Sequence, residues 1–298
     1  MRGSCWASAS RTTMRTMEQY TSSVPSLFSL AGRVALVTGA YGFFGRYFTR
    51  ALLASGASVV LVDREADPTF TTALDREFGA SRHSTILVDL SDHAAVAERY
   101  AELLGRCAVD ILVNNAFEFS PRTGFAPDRS GDLLASTTAE ELMRGFESGV
   151  LWSVEATQRF GAAMQRRGQG SIITIASMYA AVTPDPLLYE GTTHAMNPVG
   201  YPIAKAGLVA FTKYAAALLA PVRVNAILPG AFPNFSESPD RAGKRYDPVF
   251  LRRLADRTLL RRVGNPAELV GPLLFLAADA SSYVTGHALM VDGGWTVK

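Results

Sequence analysis

The chain has 298 residues, 48% of them hydrophobic, and 29 Lys+Arg against 27 Asp+Glu give it a formal net charge of +2. That length fits one large α/β domain or two small ones with ample apolar material for a core, and the near-balance of charge gives no reason to expect nucleic acid or a charged membrane surface as a partner. Two cysteines, Cys5 and Cys107, make no disulfide framework, which fits a reducing, cytoplasmic compartment, and no run approaches the roughly eighteen consecutive apolar residues of a bilayer span.

Residues 1–30 differ in kind from the rest. Met1 to Met17 is rich in Ser, Thr and Arg and has no acid before Glu18. Organellar transit peptides share that composition; so does a disordered leader, or an over-long start with Met14 or Met17 as initiator. A disordered leader or over-long start over residues 1–30 is the expectation, with the folded domain over 31–298.

From Arg33 the pattern alternates strand with helix. Val34–Thr38 is a short apolar β-rich run, followed by a helix from about Phe43 to Ser55 and a strand Ser58–Asp63. A helix around Ala66 to Phe78, a strand Thr85–Asp89, a helix from Asp92 to about Gly105 and a strand Asp110–Asn114 continue the series. Thr138-Ala-Glu-Glu141 is a capping box that opens a long helix to about Arg167, and Ser171–Ala176 is the next strand. An apolar helix pattern runs through Ala204–Tyr214, then a strand Val222–Leu228, a loop with scattered prolines over 229–248, two helices over 249–279 and a strand His287–Asp292. Near-continuous apolar strands separated by helices predict a buried parallel sheet. The alternation never breaks, so the expected fold is a single-domain, three-layer, doubly wound (Rossmann-like) α/β sheet.

Thr38-Gly-Ala-Tyr-Gly-Phe-Phe-Gly45 falls between the first strand and the first helix, where glycines let a pyrophosphate approach the backbone and the helix N-terminus offers free N–H donors. Asp63 ends the second strand, placed to accept hydrogen bonds from an adenosine ribose diol and to repel a 2′-phosphate, so NAD is favoured over NADP; Arg64 beside it would soften that preference. Tyr201 and Lys205 are four residues apart on one helical face, and a nearby cation is expected to lower the phenol's proton affinity from its reference value of ~10. His83, His93, His194 and His287 show no metal spacing, and no catalytic metal is expected.

With these features in this order the chain resembles the short-chain dehydrogenase/reductase family from about Leu30 onward. The likeness is carried by the Thr38 to Gly45 loop, Asp63, Asp89-Leu90, Asn114-Asn115-Ala116, Ser177, Tyr201 with Lys205, Pro229-Gly230 and the terminal Val284 to Gly294 run. It implies a cofactor site made by Gly39, Gly42, Phe44, Gly45, Asp63, Asp89, Leu90, Asn115, Ala116, Tyr201, Lys205, Pro229 and Gly230. Ser177, Tyr201 and Lys205 would be catalytic, with Ser177 holding the substrate oxygen, Tyr201 exchanging its proton and Lys205 also binding the nicotinamide ribose. The implied activity is hydride transfer between NAD and a secondary alcohol or ketone, with a homodimer or homotetramer as assembly. A nucleotide-sugar epimerase or dehydratase with bound NAD, and a non-catalytic NAD-binding protein, remain alternatives.

Several residues depart from the family. The spacing of Gly39, Gly42 and Gly45 is that of its longer, epimerase-like branch. Gly145-Phe-Glu-Ser-Gly149 lacks the asparagine that the family uses in proton relay, Phe117 replaces the usual glycine after Asn115-Ala116, and Asn234 follows Pro229-Gly230 where a threonine is usual. Ser177 and Tyr201 are 24 positions apart (201 − 177), about twice the family norm. The extra segment, Met178 to Gly200, carries Tyr179, Tyr189, Glu190, Thr192, Thr193 and His194 and is expected to shape substrate specificity. Comparable insertions occur in family members of carbohydrate metabolism, which points to a polyol or sugar derivative. Arg241, Lys244 and Arg245 are candidates for an anionic group on the substrate.

Overall fold

The computed structural model describes residues 24–126, 133–234 and 247–298. Its strands are β1 Val34–Thr38, β2 Ser58–Asp63, β3 His83–Leu87, β4 Ile111–Asn114, β5 Ser171–Ile175, β6 Arg223–Pro229 and β7 Ala288–Val291. They form one sheet in the order β3-β2-β1-β4-β5-β6-β7, every pairing parallel. The helices are α1 Phe43–Ala54, α2 Pro68–Phe78, α3 His93–Arg106, α4 over 139–167, α5 Gly200–Leu219, α6 Pro248–Arg257 and α7 Val270–Ala277.

The central strands β4 and β5 are buried along their whole length, which is why they read as mostly apolar runs without alternation. Two cores flank the sheet. On one face Phe48 and Leu52 of α1, Leu74 of α2 and Leu273 and Leu276 of α7 pack on Val37, Val59 and Ile173. On the other, Tyr100 of α3, Phe160 and Met164 of α4 and Ala215 of α5 pack on Leu36, Val60 and Leu112, with the Tyr100 and Phe160 rings 4.9 Å apart, edge to face. Burial of each large aliphatic or phenylalanine side chain among these stabilises the fold by roughly 1.5–3 kcal/mol.

Three expectations are corrected. The third strand begins two residues earlier than its apolar cue and ends at Leu87, because β3 is an edge strand: its ladder runs from Val59↔His83 to Asp63↔Leu87, and its outer face is too exposed for hydrophobicity to mark its ends. The capping box at Thr138 and Glu141 forms, but α4 is not uniform, since Glu147–Leu151 and Thr157–Gly161 are π turns. Of the leader expected over residues 1–30, the part up to residue 23 lies outside the described residues. Val24–Phe28 is a 3₁₀ turn, and Leu30 is fully buried with its N–H on the Ser55 carbonyl (2.8 Å), so packing of the domain starts before residue 31.

By length and composition α5 would pass for a bilayer-crossing helix. One face of it packs in the core, with Lys205, Leu208, Thr212, Ala215 and Ala216 buried. Because β1 lies between β2 and β4, the direction of winding reverses at β1 and β4. A crevice opens there, beyond the carboxyl ends of the strands.

Candidate active site

One continuous cavity occupies that crevice. Gly39, Gly42, Phe44, Asp63, Asp89, Leu90, Asn115, Ala116, Ser177, Tyr201, Lys205, Pro229 and Gly230 all border it. Gly45 lies beneath the loop rather than on the cavity surface.

The glycines of the loop have different reasons to be glycine. Gly39 has φ +62°, and a Cβ on it would come 3.0 Å from the Ala116 Cα. A Cβ on Gly45 would stand 2.1 Å from the Gly39 carbonyl oxygen, so no side chain fits. Gly42, the N-cap of α1, has an ordinary φ of −67° and a tight but less severe 3.1 Å contact. No side chain caps this helix end, which leaves its first N–H groups directed at the cavity. The turn after β4 latches onto the loop: the Asn115 amide donates to the Thr38 and Gly39 carbonyls (3.0 and 2.9 Å), and the N–H groups of Asn115 and Ala116 donate to Thr38 Oγ1.

Asp63 accepts from the Tyr41 and Arg64 N–H groups, each at 2.9 Å, one on each carboxylate oxygen. Burial raises its proton affinity, and those two bonds oppose the shift. Arg64 is exposed and sits near Glu65. Asp89 takes both bonds offered by Ser91 on one oxygen, which lowers its proton affinity and leaves the other oxygen for the cavity. Pro229 ends β6, and a Cβ on Gly230 would stand 2.6 Å from the Asp292 Cα, so glycine is needed where β6 and the end of β7 converge. A loop that admits no Cβ at Gly45 and turns through a positive φ at Gly39, an uncapped helix end and an acid closing β2 fit a nicotinamide dinucleotide. Gly39 and Gly42 would hold the pyrophosphate, Asp63 the adenosine ribose, and Asp89 and Leu90 the adenine side.

At the other end of the cavity Ser177 is 6% exposed and accepts from the Tyr179 N–H (3.2 Å), so it caps the turn Met178–Ala180. Lys205 is 4% exposed and donates to the Ile175 carbonyl (2.9 Å). Its effect on Tyr201 differs from the expected one. Burial dominates, pushing Tyr201 up to about 12 against a hydrogen bond with Ser177 that pulls the other way, and bringing Lys205 down to about 7. Lys205 has lost its water and the half-buried Tyr201 part of it, so neither charged form is favoured in this conformation.

The rings of Phe117, Phe119 and Phe125 surround Tyr201 at centroid distances of 5.2, 6.0 and 5.6 Å. This wall is held by Glu118, whose nearly buried carboxylate pairs with Arg144 of α4, which also pairs with Glu147 (2.8 Å). The doubled Phe117-Glu-Phe119 pattern hinted at an aromatic wall. Nothing in the sequence pointed to Arg144 as the partner of Glu118.

The extra segment between Ser177 and Tyr201 is built mainly as packing. Tyr179 and Leu188 join Phe250, Leu254 and Trp295 in a separate apolar cluster, and Tyr189 packs against it. Arg253 of α6 donates to the carbonyls of Leu187, Leu188 and Glu190 (2.9, 3.2 and 2.6 Å), and the His194 ring stacks on Phe250 (4.3 Å, 14°). Of the residues singled out there, only His194 borders the cavity; Asn197, not anticipated, joins it. Tyr179, Tyr189, Glu190, Thr192 and Thr193 do not. Asn234 borders the cavity from the far wall. Arg241, Lys244 and Arg245 lie outside the described residues. Among the described residues no three His, Cys, Asp or Glu side chains converge as a metal site.

Comparison with known proteins adds to this geometry. A family model described as enoyl-(acyl carrier protein) reductase, of the short-chain alcohol dehydrogenase type, matches residues 40–296. Galactitol 2-dehydrogenase (L-tagatose-forming) of Cereibacter sphaeroides is 35% identical over 279 residues, which cover 91% of this chain and 98% of that one. The crystal structure of a gluconate 5-dehydrogenase from Burkholderia cenocepacia J2315 in complex with NADP and tartrate is 28% identical, with a TM-score of 0.75 over 92% of this chain and 99% of that one. A short chain dehydrogenase from Leptospira borgpetersenii with bound NAD+ is 27% identical, with a TM-score of 0.73 over 90% and 94%.

Proposed function

This chain belongs to the short-chain dehydrogenase/reductase family, and from that premise we propose that it interconverts a secondary alcohol of a polyol or sugar acid with the matching ketone, using NAD in preference to NADP. The observation that carries the reading is the meeting of Ser177, Tyr201 and Lys205 at one end of a cavity whose other end is the glycine loop and Asp63. When bound, the nicotinamide supplies the hydride donor or acceptor. The Ser177 hydroxyl donates to the substrate oxygen and orients it. Tyr201, which keeps its proton at neutral pH, gives that proton to the ketone oxygen in reduction and becomes the phenolate; in oxidation the phenolate form takes the proton of the alcohol. Oxidation is therefore expected to speed up as pH rises toward the range where the phenol ionises.

The preference for NAD is supported by the Asp63 carboxylate at the end of β2, where a 2′-phosphate would meet buried negative charge. The polyol reading draws on the galactitol and gluconate enzymes, and on His194 and Asn197, which offer polar contacts at the cavity wall. A homodimer through α4 and α5 is supported by the exposed Leu142, Met143 and Phe146 on the first and Ile203, Tyr214 and Leu218 on the second; light scattering that gives a monomer mass would remove it.

The test is NAD and NADP reduction over a panel of polyols, sugar acids and simple secondary alcohols. Product should form with NAD, and Tyr201→Phe should abolish turnover while NAD still binds. A Tyr201→Phe variant that turns over normally would overturn the assignment.

A further inference from the structure

Two departures noted in the sequence prove to be one feature. Phe117 follows the Asn115-Ala116 turn, and its ring stands edge-on to Tyr201 (5.2 Å, 85°) while the Lys205 ammonium lies 5.0 Å from its centre. The ring has little freedom on either side. The turn before it is bonded to Thr38, and Glu118 after it is paired with Arg144. Across from it, in the first π turn of α4, is Gly149. A Cβ there would come 3.2 Å from a ring carbon of Phe117 and 2.6 Å from the Cβ of Ala204, the residue before Lys205. The bare backbone at 149 thus lets α4 approach α5 and leaves the space that the ring fills.

We propose that Phe117 is a positioning residue for proton transfer: seated in the space left by Gly149, its ring fixes Tyr201 and Lys205 relative to each other and keeps water from both. The proposal rests on the reading of that pair as the reacting groups. A ring face alone would favour the ammonium. The loss of water acts in the opposite sense and is the larger effect, since Lys205 is shifted downward. The ring therefore acts chiefly as a seal.

Competitive acetylation of the amines by acetic anhydride across a pH series, with Lys205 read by peptide mass spectrometry on the full chain, tests this without a substrate. The wild-type midpoint should lie near neutrality. Phe117→Ala, which admits water, should raise it by about one pH unit or more, and Phe117→Leu, which keeps apolar bulk, should hold it within about half a unit. Gly149→Ala, on the other element, displaces the ring and should move the midpoint upward as well. A Phe117→Ala curve that superimposes on the wild type overturns the proposal; if that variant does not fold, an unmoved Gly149→Ala curve does so. These results are distinct from failure of the underlying assignment, which would appear as turnover by Tyr201→Phe.

Discussion

Lys205 donates to the carbonyl of Ile175 at 2.9 Å, while its ammonium stands 5.7 Å from the centre of the Tyr201 ring. The lysine is thus tethered to the end of β5, and its contact with the tyrosine is through the ring face. Its proton is held weakly, at about 7 against an ordinary 10.5.

That difference makes stability depend on pH. Below pH 7 both folded and unfolded chains hold the proton, and the cost of burying the ammonium is present in full. Between 7 and 10.5 the unfolded chain binds more protons, so stability should rise with pH by up to ~1.4 kcal/mol per unit from this group. Urea unfolding of the cofactor-free protein at neutral and mildly alkaline pH should show the rise, and Lys205→Met should flatten it. Parallel pH dependences in the two proteins would contradict the buried, weakly protonated lysine.

Gly45→Ala should be far more damaging than Gly42→Ala. The first drives a methyl to 2.1 Å from the Gly39 oxygen and must distort the loop, whereas the second asks for a few tenths of an ångström at a permitted φ. We expect NAD affinity to fall by at least about a hundredfold in Gly45→Ala and by less than about fivefold in Gly42→Ala, read by calorimetry.

Asp63→Ala removes the acid that closes β2 and orphans the N–H groups of Tyr41 and Arg64. The ratio of kcat/KM for NAD over NADP should drop by about tenfold to a hundredfold, with most of the change in the KM for NAD. An unchanged ratio would place the discrimination elsewhere.

Arg253→Ala cuts three hydrogen bonds to the segment between Ser177 and Tyr201. If that segment shapes the substrate end of the cavity, substrate KM should rise by about tenfold, and kcat should change by less than about threefold. A variant with intact KM would mean that the segment packs without touching substrate.

Much of this site could be read from local pattern. Gly39 and Gly45 are demanded by backbone geometry within one loop, Asp63 by its place at the end of an apolar run, and Tyr201 and Lys205 by a four-residue spacing. Other features depend on contacts distant in the chain. Glu118 and Arg144 are 26 residues apart and pair because α4 returns along the loop after β4. The downward shift of Lys205 comes from its burial in the folded chain, which spacing alone does not reveal, so simple charge proximity predicted the wrong direction for Tyr201. The displaced start of β3 has the same origin, since an edge strand takes its register from its neighbour.

The fit between Phe117 and Gly149 also constrains how this site can be altered by descent or by design. Their segments belong to different structural units, the turn after β4 and the middle of α4, yet bulk added at one is matched by bulk missing at the other. Grafting α4 from a relative with a large residue at the equivalent of 149 would overfill the contact unless residue 117 shrank in the same step. Reducing Phe117 first would leave a void beside the lysine. The two positions are therefore expected to change together, since substitution at either one alone overfills or empties the contact.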